Sequence, residues 1–241
     1  AKQRLGQVAQ CSGHGLHRRL AEDVADAYAQ QFLALETVQD RFRIGGAADS
    51  LVYPKSIEEL GALIRFARGT HLPIFVIGSG SNLLVRDAGI RGVVISLAQG
   101  FNDLRVDEER EGEVIVYAEA GVGLPRLADF AAGLGLSGLE AMAGIPGNLG
   151  GGLTMNAGTP DGEIGSRVVS VSFMDKEGRL ITWQQERIGF GYRETHFPTG
   201  AILVAARLLL QRSSPEKVQS TVQQGRLKRT ETQPLNVPNL G

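Results

Sequence analysis

Residues 75–85 read FVIGSGSNLLV, which is an apolar run, a Gly-Ser-Gly-Ser-Asn loop and a second apolar run. The first run predicts a buried strand over 73–77, and Asn82–Val85 is expected to continue as a strand after the loop. Glycine and serine between two strands can form an anion-binding nest, in which successive backbone N–H groups converge and serine hydroxyls add donors. A tight β-turn without a ligand is the alternative that this stretch alone leaves open.

Two familiar nucleotide-binding motifs do not fit this loop. A dinucleotide fingerprint opens a helix and needs a third glycine where this chain has Leu83. A Walker loop ends in Gly-Lys-Ser/Thr, and this loop contains no lysine. A phosphate would therefore be held here by backbone amides between strands and not by a helix N-terminus.

The patterns on either side of the loop predict an α+β fold. Ser56–Gly69 predicts a helix with Ser56 as N-cap and Glu59 at the capping-box position, and the strands expected at 51–54 and 73–77 make it a βαβ unit. Later patterns predict short strands, two helices and a hairpin around Lys176-Glu177-Gly178. These elements are strands over 93–97, 104–106, 113–119, 167–174, 179–183 and 201–210, and helices over Leu124–Gly133 and Glu216–Arg229.

Length and composition limit the class of protein. The chain has 241 residues, 42% of them hydrophobic, and a formal net charge of −1. It can bury a core of one large or two small domains, and its charge gives no reason to expect a nucleic acid or an anionic membrane surface as partner. No run is long enough to span a bilayer. The single cysteine, Cys11, excludes an internal disulfide, so we expect a reducing cytoplasm, and we expect no metal site.

A second glycine-rich stretch, residues 138–158, reads GLEAMAGIPGNLGGGLTMNAG and has seven glycines in 21 residues. Ordering so many glycines costs conformational entropy, unless something large packs against the backbone. The small polar side chains Asn148, Thr154 and Asn156 suit the edges of a flat, mostly apolar ring system. One loop for phosphate and one for a ring indicate a long dinucleotide.

Four motifs in order carry a resemblance to a known family. FRIGG, VIGSGSNLLV, SGLEAMAGIPGNLGGGLTMNAG and GFGYRETHF resemble the UDP-N-acetylenolpyruvoylglucosamine reductases, from about Thr37 to Gly241. The resemblance implies an FAD-binding domain of the vanillyl-alcohol-oxidase (PCMH) type, with a small βαβ unit and a larger mixed antiparallel sheet with helices. The expected divisions are 1–36, an extension with a helix at Leu20–Glu36; 37–211, the FAD-binding domain; and 212–241, the start of a substrate-binding domain.

The resemblance also implies site residues. FAD is expected to be non-covalent, because neither glycine stretch contains the His or Cys that a flavin linkage needs. The residues expected around its pyrophosphate are Ile77, Gly78, Ser79, Gly80, Ser81, Asn82 and Leu83. Those expected near the flavin and ribityl chain are Ala143, Gly144, Ile145, Pro146, Gly147, Gly150, Gly151, Met155, Asn156, Ala157 and Gly158. Tyr192 and Arg193 are expected to bind substrate, and Arg193 to pair with its carboxylate as enolate charge develops.

The family's reaction passes hydride from NADPH to FAD and then to an enolpyruvyl UDP-sugar, in peptidoglycan synthesis. The family's proton donor follows a segment like Pro238–Gly241, and a later glutamate assists it, so neither is in this sequence. We therefore expect FAD binding without normal turnover. We expect the chain to be a fragment of a reductase, and a shortened relative that binds FAD without reducing the sugar is the alternative. A non-catalytic flavoprotein or interaction module, and another flavin oxidoreductase acting on an alcohol or sugar, remain alternatives.

Overall fold

The computed structural model of the chain describes residues 46–233. Its first part is a three-stranded sheet with the strand order β1-β3-β2. The strands are β1 (Ala48–Val52), β2 (Ile74–Ile77) and β3 (Ile90–Ser96), and helix α1 (Ile57–Gly69) connects β1 to β2. Because β1 and β2 both run parallel to β3, which lies between them, the predicted βαβ unit is confirmed.

The start of α1 follows from its capping residues. The Ser56 hydroxyl accepts the backbone N–H of Glu59 at 3.2 Å, which satisfies one of the donors that a helix start leaves unpaired. The Glu59 carboxylate in turn accepts the backbone N–H of Lys55 at 2.7 Å. The apolar residues then recur every three or four positions, so one stripe of the helix is buried: Leu60, Leu63, Ile64 and Ala67.

The second part is a larger sheet with the order β10-β9-β13-β5-β4, in which all neighbouring strands are antiparallel. Its strands are β4 (Leu104–Arg110), β5 (Glu113–Glu119), β9 (Val168–Met174), β10 (Leu180–Gln184) and β13 (Ile202–Arg212). The short β6 (Leu136–Ser137) pairs with the end of β13. Two ribbons, β7 (Gly158–Thr159) with β8 (Gly162–Glu163) and β11 (Gly189–Gly191) with β12 (Glu194–His196), stand outside the sheet. The α+β class is thus confirmed.

Three helices belong to this second part: α2 (Leu124–Gly133), α3 (Leu149–Thr154) and α4 (Pro215–Thr232). They pack with one face of the large sheet around a main core, which includes Val116, Leu127, Leu153, Phe173, Leu208 and Val222. A second cluster joins the two parts of the fold, since it contains Leu60 and Ile95 from the small sheet and its helix together with Met174 and Val204 from the large sheet. The two parts therefore share buried apolar surface.

Two predictions for the residues beside the first glycine loop are wrong. Strand β2 forms as predicted but is an edge strand and not a buried one, with Phe75 46% and Val76 44% exposed. Residues 82–85 do not continue as a strand; a turn at 81–82 is followed by irregular chain in which Leu84 is 67% exposed. In the described sheet β3 pairs with β1 and β2, and residues 82–85 pair with none of these three strands.

The predictions at the two ends have different outcomes. The helix expected at Leu20–Glu36 lies outside the described residues. The boundary expected at 211/212 stays a prediction; helix α4 lies beyond it and packs Val218 and Val222 into the main core. Among residues 46–233, no helix has the length and apolar character needed to cross a bilayer.

Candidate functional site

The first glycine segment, residues 78–82, follows the end of β2 as a bend and a turn. Gly80 has a φ of +69°, a left-handed value that glycine adopts without strain. Gly78, Ser79 and Asn82 are exposed, as is Leu83 just after them. The backbone N–H groups of 78–82 donate no hydrogen bond to any other described residue. The segment therefore offers a short run of unpaired donors at the surface.

The second glycine segment comprises residues 143–158 of the second glycine-rich stretch. The sequence predicts one loop here, whereas the structure contains a helix. Leu149–Thr154 forms helix α3, which begins because the N–H of Leu149 bonds to the carbonyl of Val122 and that of Gly150 to the carbonyl of Ala120. Glycine at 150 lets the helix approach the sheet, since a Cβ there would lie 3.1 Å from the Ala120 Cβ. Local sequence patterns do not predict this helix, because Gly-Gly-Gly is a poor helix former by itself.

The fold brings the two glycine segments into contact. The Ser81 hydroxyl donates to the carbonyl of Pro146 at 3.2 Å, across 65 positions of sequence. A Cβ on Gly78 would lie 2.8 Å from the Asn148 Oδ1, and one on Gly147, whose φ is +126°, would lie 3.0 Å from the Ser81 hydroxyl. Side chains at 78 or 147 would therefore force the segments apart.

The donors that remain unpaired lie on both sides of this junction. Within the described part of the chain, the N–H groups of Gly147, Asn148 and Gly151 have no acceptor, as for 78–82. Unpaired amides with no Cβ in front of them suit a pyrophosphate, which accepts hydrogen bonds and needs close approach of the backbone. By the donor set and the glycine positions, the residues present fit the pyrophosphate of FAD.

Met155–Gly158, the end of the second segment, is bonded mainly to its own surroundings. The N–H groups of Met155, Asn156 and Ala157 donate to the carbonyls of Gly151, Leu153 and Gly152. The side chain of Met155 is exposed beside them, whereas Asn156 is 2% exposed. Of this stretch, Met155 is the side chain that a flat ring could contact without any rearrangement.

Arg193 lies in the two-residue turn between β11 and β12, next to Tyr192. Its φ is +58°, which is uncommon for a residue other than glycine, asparagine or aspartate. The guanidinium donates through Nη2 to the carbonyl of Gly158 at 2.9 Å and lies 5.3 Å from the centre of the Tyr192 ring. Among the described residues, the guanidinium donates one of its five N–H groups, and Arg193 is exposed beside the end of the second glycine segment.

Two polar residues at this site were not among the predicted site residues. Asn148 links the segments, because its Nδ2 donates to the carbonyl of Gly121 at 2.7 Å while its Oδ1 is buried beside Gly78 without a donor from the described residues. Glu163 accepts a hydrogen bond from Asn156 at 2.8 Å. No sequence motif points to Glu163, since its partner is seven positions away and both lie in irregular or very short elements.

A separate groove of about 460 Å³ lies between α1, the edge strand β2 and residues 200–202. It is lined mainly by apolar side chains, with Arg68 and Lys176 at its rim, and it contains none of the predicted site residues.

Comparison with known proteins agrees with the fold. The FAD binding domain family matches residues 48–184. Curated UDP-N-acetylenolpyruvoylglucosamine reductases of Clostridium tetani and Clostridioides difficile are 37% and 38% identical over 201 residues, which is 83% of this chain. The chain spans 64% of the length of each of these two relatives.

Solved structures give the same result. The UDP-N-acetylenolpyruvylglucosamine reductase of Thermus caldophilus has a TM-score of 0.74 and 34% identity, over 87% of this chain and 74% of that one. A 4-ethylphenol oxidase from Gulosibacter chungangensis, at 17% identity and a TM-score of 0.59 over 84% of this chain and 44% of that one, shares the fold alone. The fold and the matched residues define an FAD-binding domain. More closely, the chain belongs to the UDP-N-acetylenolpyruvoylglucosamine reductase family.

Proposed function

We propose that the chain binds FAD without a covalent bond and serves the reduction of UDP-N-acetylenolpyruvoylglucosamine to UDP-N-acetylmuramate, in peptidoglycan synthesis in the cytoplasm. The observation that carries the proposal is the junction of the two glycine segments, where the N–H groups of 78–82, Gly147, Asn148 and Gly151 have no acceptor among the described residues. Its family membership supports the same conclusion. When bound, FAD supplies a hydride that originates from NADPH.

The residues that would hold the pyrophosphate are those of the two segments, with Ile77 and Leu83 flanking the first of them. The amides of 78–82, Gly147 and Gly151 would donate hydrogen bonds to its oxygens. The hydroxyls of Ser79 and Ser81 are further donors, although Ser81 must leave the Pro146 carbonyl to contribute. The remaining contacts, to the flavin and ribityl chain, are assigned to Ala143, Gly144, Ile145, Pro146, Gly150, Met155, Ala157 and Gly158.

Arg193 binds the substrate carboxylate, and Tyr192 shapes the surface beside it. When hydride reaches the enolpyruvyl methylene, negative charge develops on an enolate that is conjugated with this carboxylate. A guanidinium already fixed by the Gly158 carbonyl stabilises that charge without reorganisation. A carboxylate can accept two parallel N–H bonds from arginine, which also orients the reacting group.

Titration of the purified chain with FAD tests the cofactor assignment. We expect a yellow protein that quenches flavin fluorescence with a 1:1 end point and releases intact FAD in acid. Acid release matters because a covalent flavin would stay with the precipitated protein. A chain that remains colourless and does not alter FAD fluorescence at any ratio would remove the proposal.

The role of Arg193 needs a second measurement. Addition of the enolpyruvyl UDP-sugar to the FAD-loaded chain should perturb the flavin absorbance, and Arg193→Ala should weaken that binding by at least about tenfold, the cost of one charge-assisted hydrogen bond pair. Arg193→Lys keeps the charge but not the bidentate geometry, so its affinity for the UDP-sugar should lie between those of wild type and Arg193→Ala. Equal affinity of all three proteins would exclude Arg193 as the carboxylate ligand.

A further inference from the structure

The residue that holds Arg193 in place is visible in the contacts between two short segments. Among the described residues, three other than glycine have a left-handed φ: His71, Asn156 and Arg193. Asn156 and Arg193 contact each other's segments. The side chain of Asn156 donates to the carbonyl of Gly191 at 2.9 Å, two residues before Arg193. That of Arg193 donates to the carbonyl of Gly158 at 2.9 Å, two residues after Asn156.

The reciprocal pair has a third bond beside it. The Thr195 hydroxyl donates to the carbonyl of Leu153 at 2.7 Å. Residues 153–158 and 191–195 are therefore joined by three bonds from side chains to carbonyls, and we call this arrangement the clasp. A left-handed arginine costs on the order of 1 kcal/mol or more and persists only where the surroundings impose it. The clasp ties this turn to residues 153–158 and supports its conformation, together with the pairing of β11 and β12.

The side-chain amide of Asn156 has no N–H left to donate to a cofactor. Its two Nδ2 hydrogens go to the carboxylate of Glu163 at 2.8 Å and to the Gly191 carbonyl. Its Oδ1 accepts the backbone N–H of Gly165 at 3.0 Å, its own N–H bonds to the Leu153 carbonyl, and the residue is 2% exposed. Glu163 fixes which way the amide faces, because a carboxylate accepts only from the NH₂ side.

We propose that Asn156, oriented by Glu163, is a positioning residue for Arg193 and not a ligand of FAD. The proposal rests on the proposed function, in which Arg193 binds the substrate carboxylate, and it replaces the cofactor role that the sequence indicated for Asn156. Arg193 then reaches the substrate from a hairpin turn that the buried amide holds against residues 153–158. The consequence is that loss of the amide loosens Arg193 and leaves flavin binding intact.

Hydrogen exchange of the full chain tests this. Asn156→Ala is compared with wild type and with Thr154→Ala, which removes a hydroxyl bonded to Gly150 within the same segment and outside the clasp. We expect exchange over residues 189–196 to rise about tenfold or more in Asn156→Ala, as for a lost buried hydrogen bond, and to stay unchanged in Thr154→Ala. Trypsin should also cut after Arg193 faster in Asn156→Ala, with cutting after Arg187 as the internal reference. The Kd for FAD should stay within twofold of wild type.

Three results would overturn the proposal. Unchanged exchange at 189–196 would show that the amide does not hold the turn. A tenfold weaker Kd for FAD, with or without faster exchange, would make Asn156 a cofactor residue. Acceleration of exchange throughout the chain would show that the substitution lowers the stability of the whole fold and does not act on residues 189–196 in particular. If the wild type binds no FAD, the proposed function fails while the exchange result still decides whether the clasp exists.

A second pair covers the case in which Asn156→Ala gives no folded protein. Glu163→Gln keeps an oxygen acceptor within reach of the Asn156 Nδ2, whereas Glu163→Ala removes it. We expect exchange at 189–196 to rise several-fold in Glu163→Ala and to remain close to wild type in Glu163→Gln. Equal behaviour of the two variants would contradict the orienting role of Glu163 and with it the proposal.

Discussion

The two glycine segments look alike in sequence but use glycine for different purposes. In 78–82 the glycines at 78 and 80 carry no Cβ, and the backbone N–H groups of the segment have no acceptor among the described residues. In 143–158 most glycines permit close packing: a Cβ would lie 3.1 Å from Ala120 at Gly150, 3.1 Å from Leu124 at Gly152 and 2.6 Å from the Gly162 carbonyl at Gly158. In the second segment, the N–H groups of Gly147, Asn148 and Gly151 are among those that have no acceptor within residues 46–233. Glycine content therefore marks two kinds of site, and the contacts distinguish them.

Gly78→Ala should have the largest effect on the cofactor. Its Cβ would stand 2.8 Å from the Asn148 Oδ1, an atom held in place because the same amide is bonded to Gly121. Without FAD the exposed segment can swing outward, so stability should change little. With FAD the segments must close, and overpacking of about 1–3 kcal/mol should raise the Kd ten- to a hundredfold.

Flavin fluorescence titration measures this effect. The matched control is Gly69→Ala, since Gly69 ends helix α1 and a Cβ there meets nothing within 4 Å. Equal Kd values for Gly78→Ala and Gly69→Ala would mean that the first segment is not where the backbone approaches FAD, and the comparison between the segments would lose its basis.

Gly147→Ala should act on folding as well as on binding. The φ of +126° is strained for any residue with a Cβ, and that Cβ would press on the Ser81 hydroxyl. We expect the free energy of unfolding of the FAD-free chain to fall by about 1–3 kcal/mol. Urea unfolding followed by circular dichroism measures it. A variant as stable as wild type would show that the contact between the segments forms only with FAD.

The difference between the segments could be predicted only in part from sequence. The α+β class, the βαβ unit, helix α2 and the hairpin of β9 and β10 follow from local periodicity and caps, which act within a few residues. Helix α3 and the exposure of β2 depend on contacts between segments that are far apart in the sequence. The partner of Asn148 is Gly121 and that of Asn156 is Gly191, 27 and 35 positions away. Such pairings come from topology, which no local pattern contains.

Gly151→Ala should stabilise the FAD-free chain and weaken its binding of FAD. Gly151 lies in helix α3, is exposed, and has open space where a Cβ would be. Alanine is the better helix former, so the FAD-free chain should gain about 0.5–1 kcal/mol of stability. If the free N–H of Gly151 faces the cofactor, the same methyl group should weaken FAD several-fold.

Two measurements on one protein check this: urea unfolding without FAD and fluorescence titration with it. Gly133→Ala serves as control, because Gly133 ends helix α2 and also has nothing within 4 Å of its Cβ position. A gain in stability with unchanged affinity would assign Gly151 to helix packing alone. The second segment would then contribute to FAD only through Gly147 and its neighbours.

The comparison of Ser81→Ala with Ser79→Ala should show the smallest and most specific differences in stability and in affinity for FAD. Ser81 bonds to the Pro146 carbonyl at 3.2 Å, whereas Ser79 is exposed and has no partner among residues 46–233. Loss of the Ser81 hydroxyl should lower the stability of the FAD-free chain by about 0.5 kcal/mol, the lower end for a partly exposed hydrogen bond, and loss of the Ser79 hydroxyl should leave it unchanged. For the affinity for FAD, loss of the Ser79 hydroxyl should have the larger effect. Ser79 can donate to a phosphate without giving up a protein acceptor, whereas Ser81 must exchange one acceptor for another. Equal effects of the two variants in both measurements would mean that the contact at Pro146 neither closes the site nor competes with the pyrophosphate.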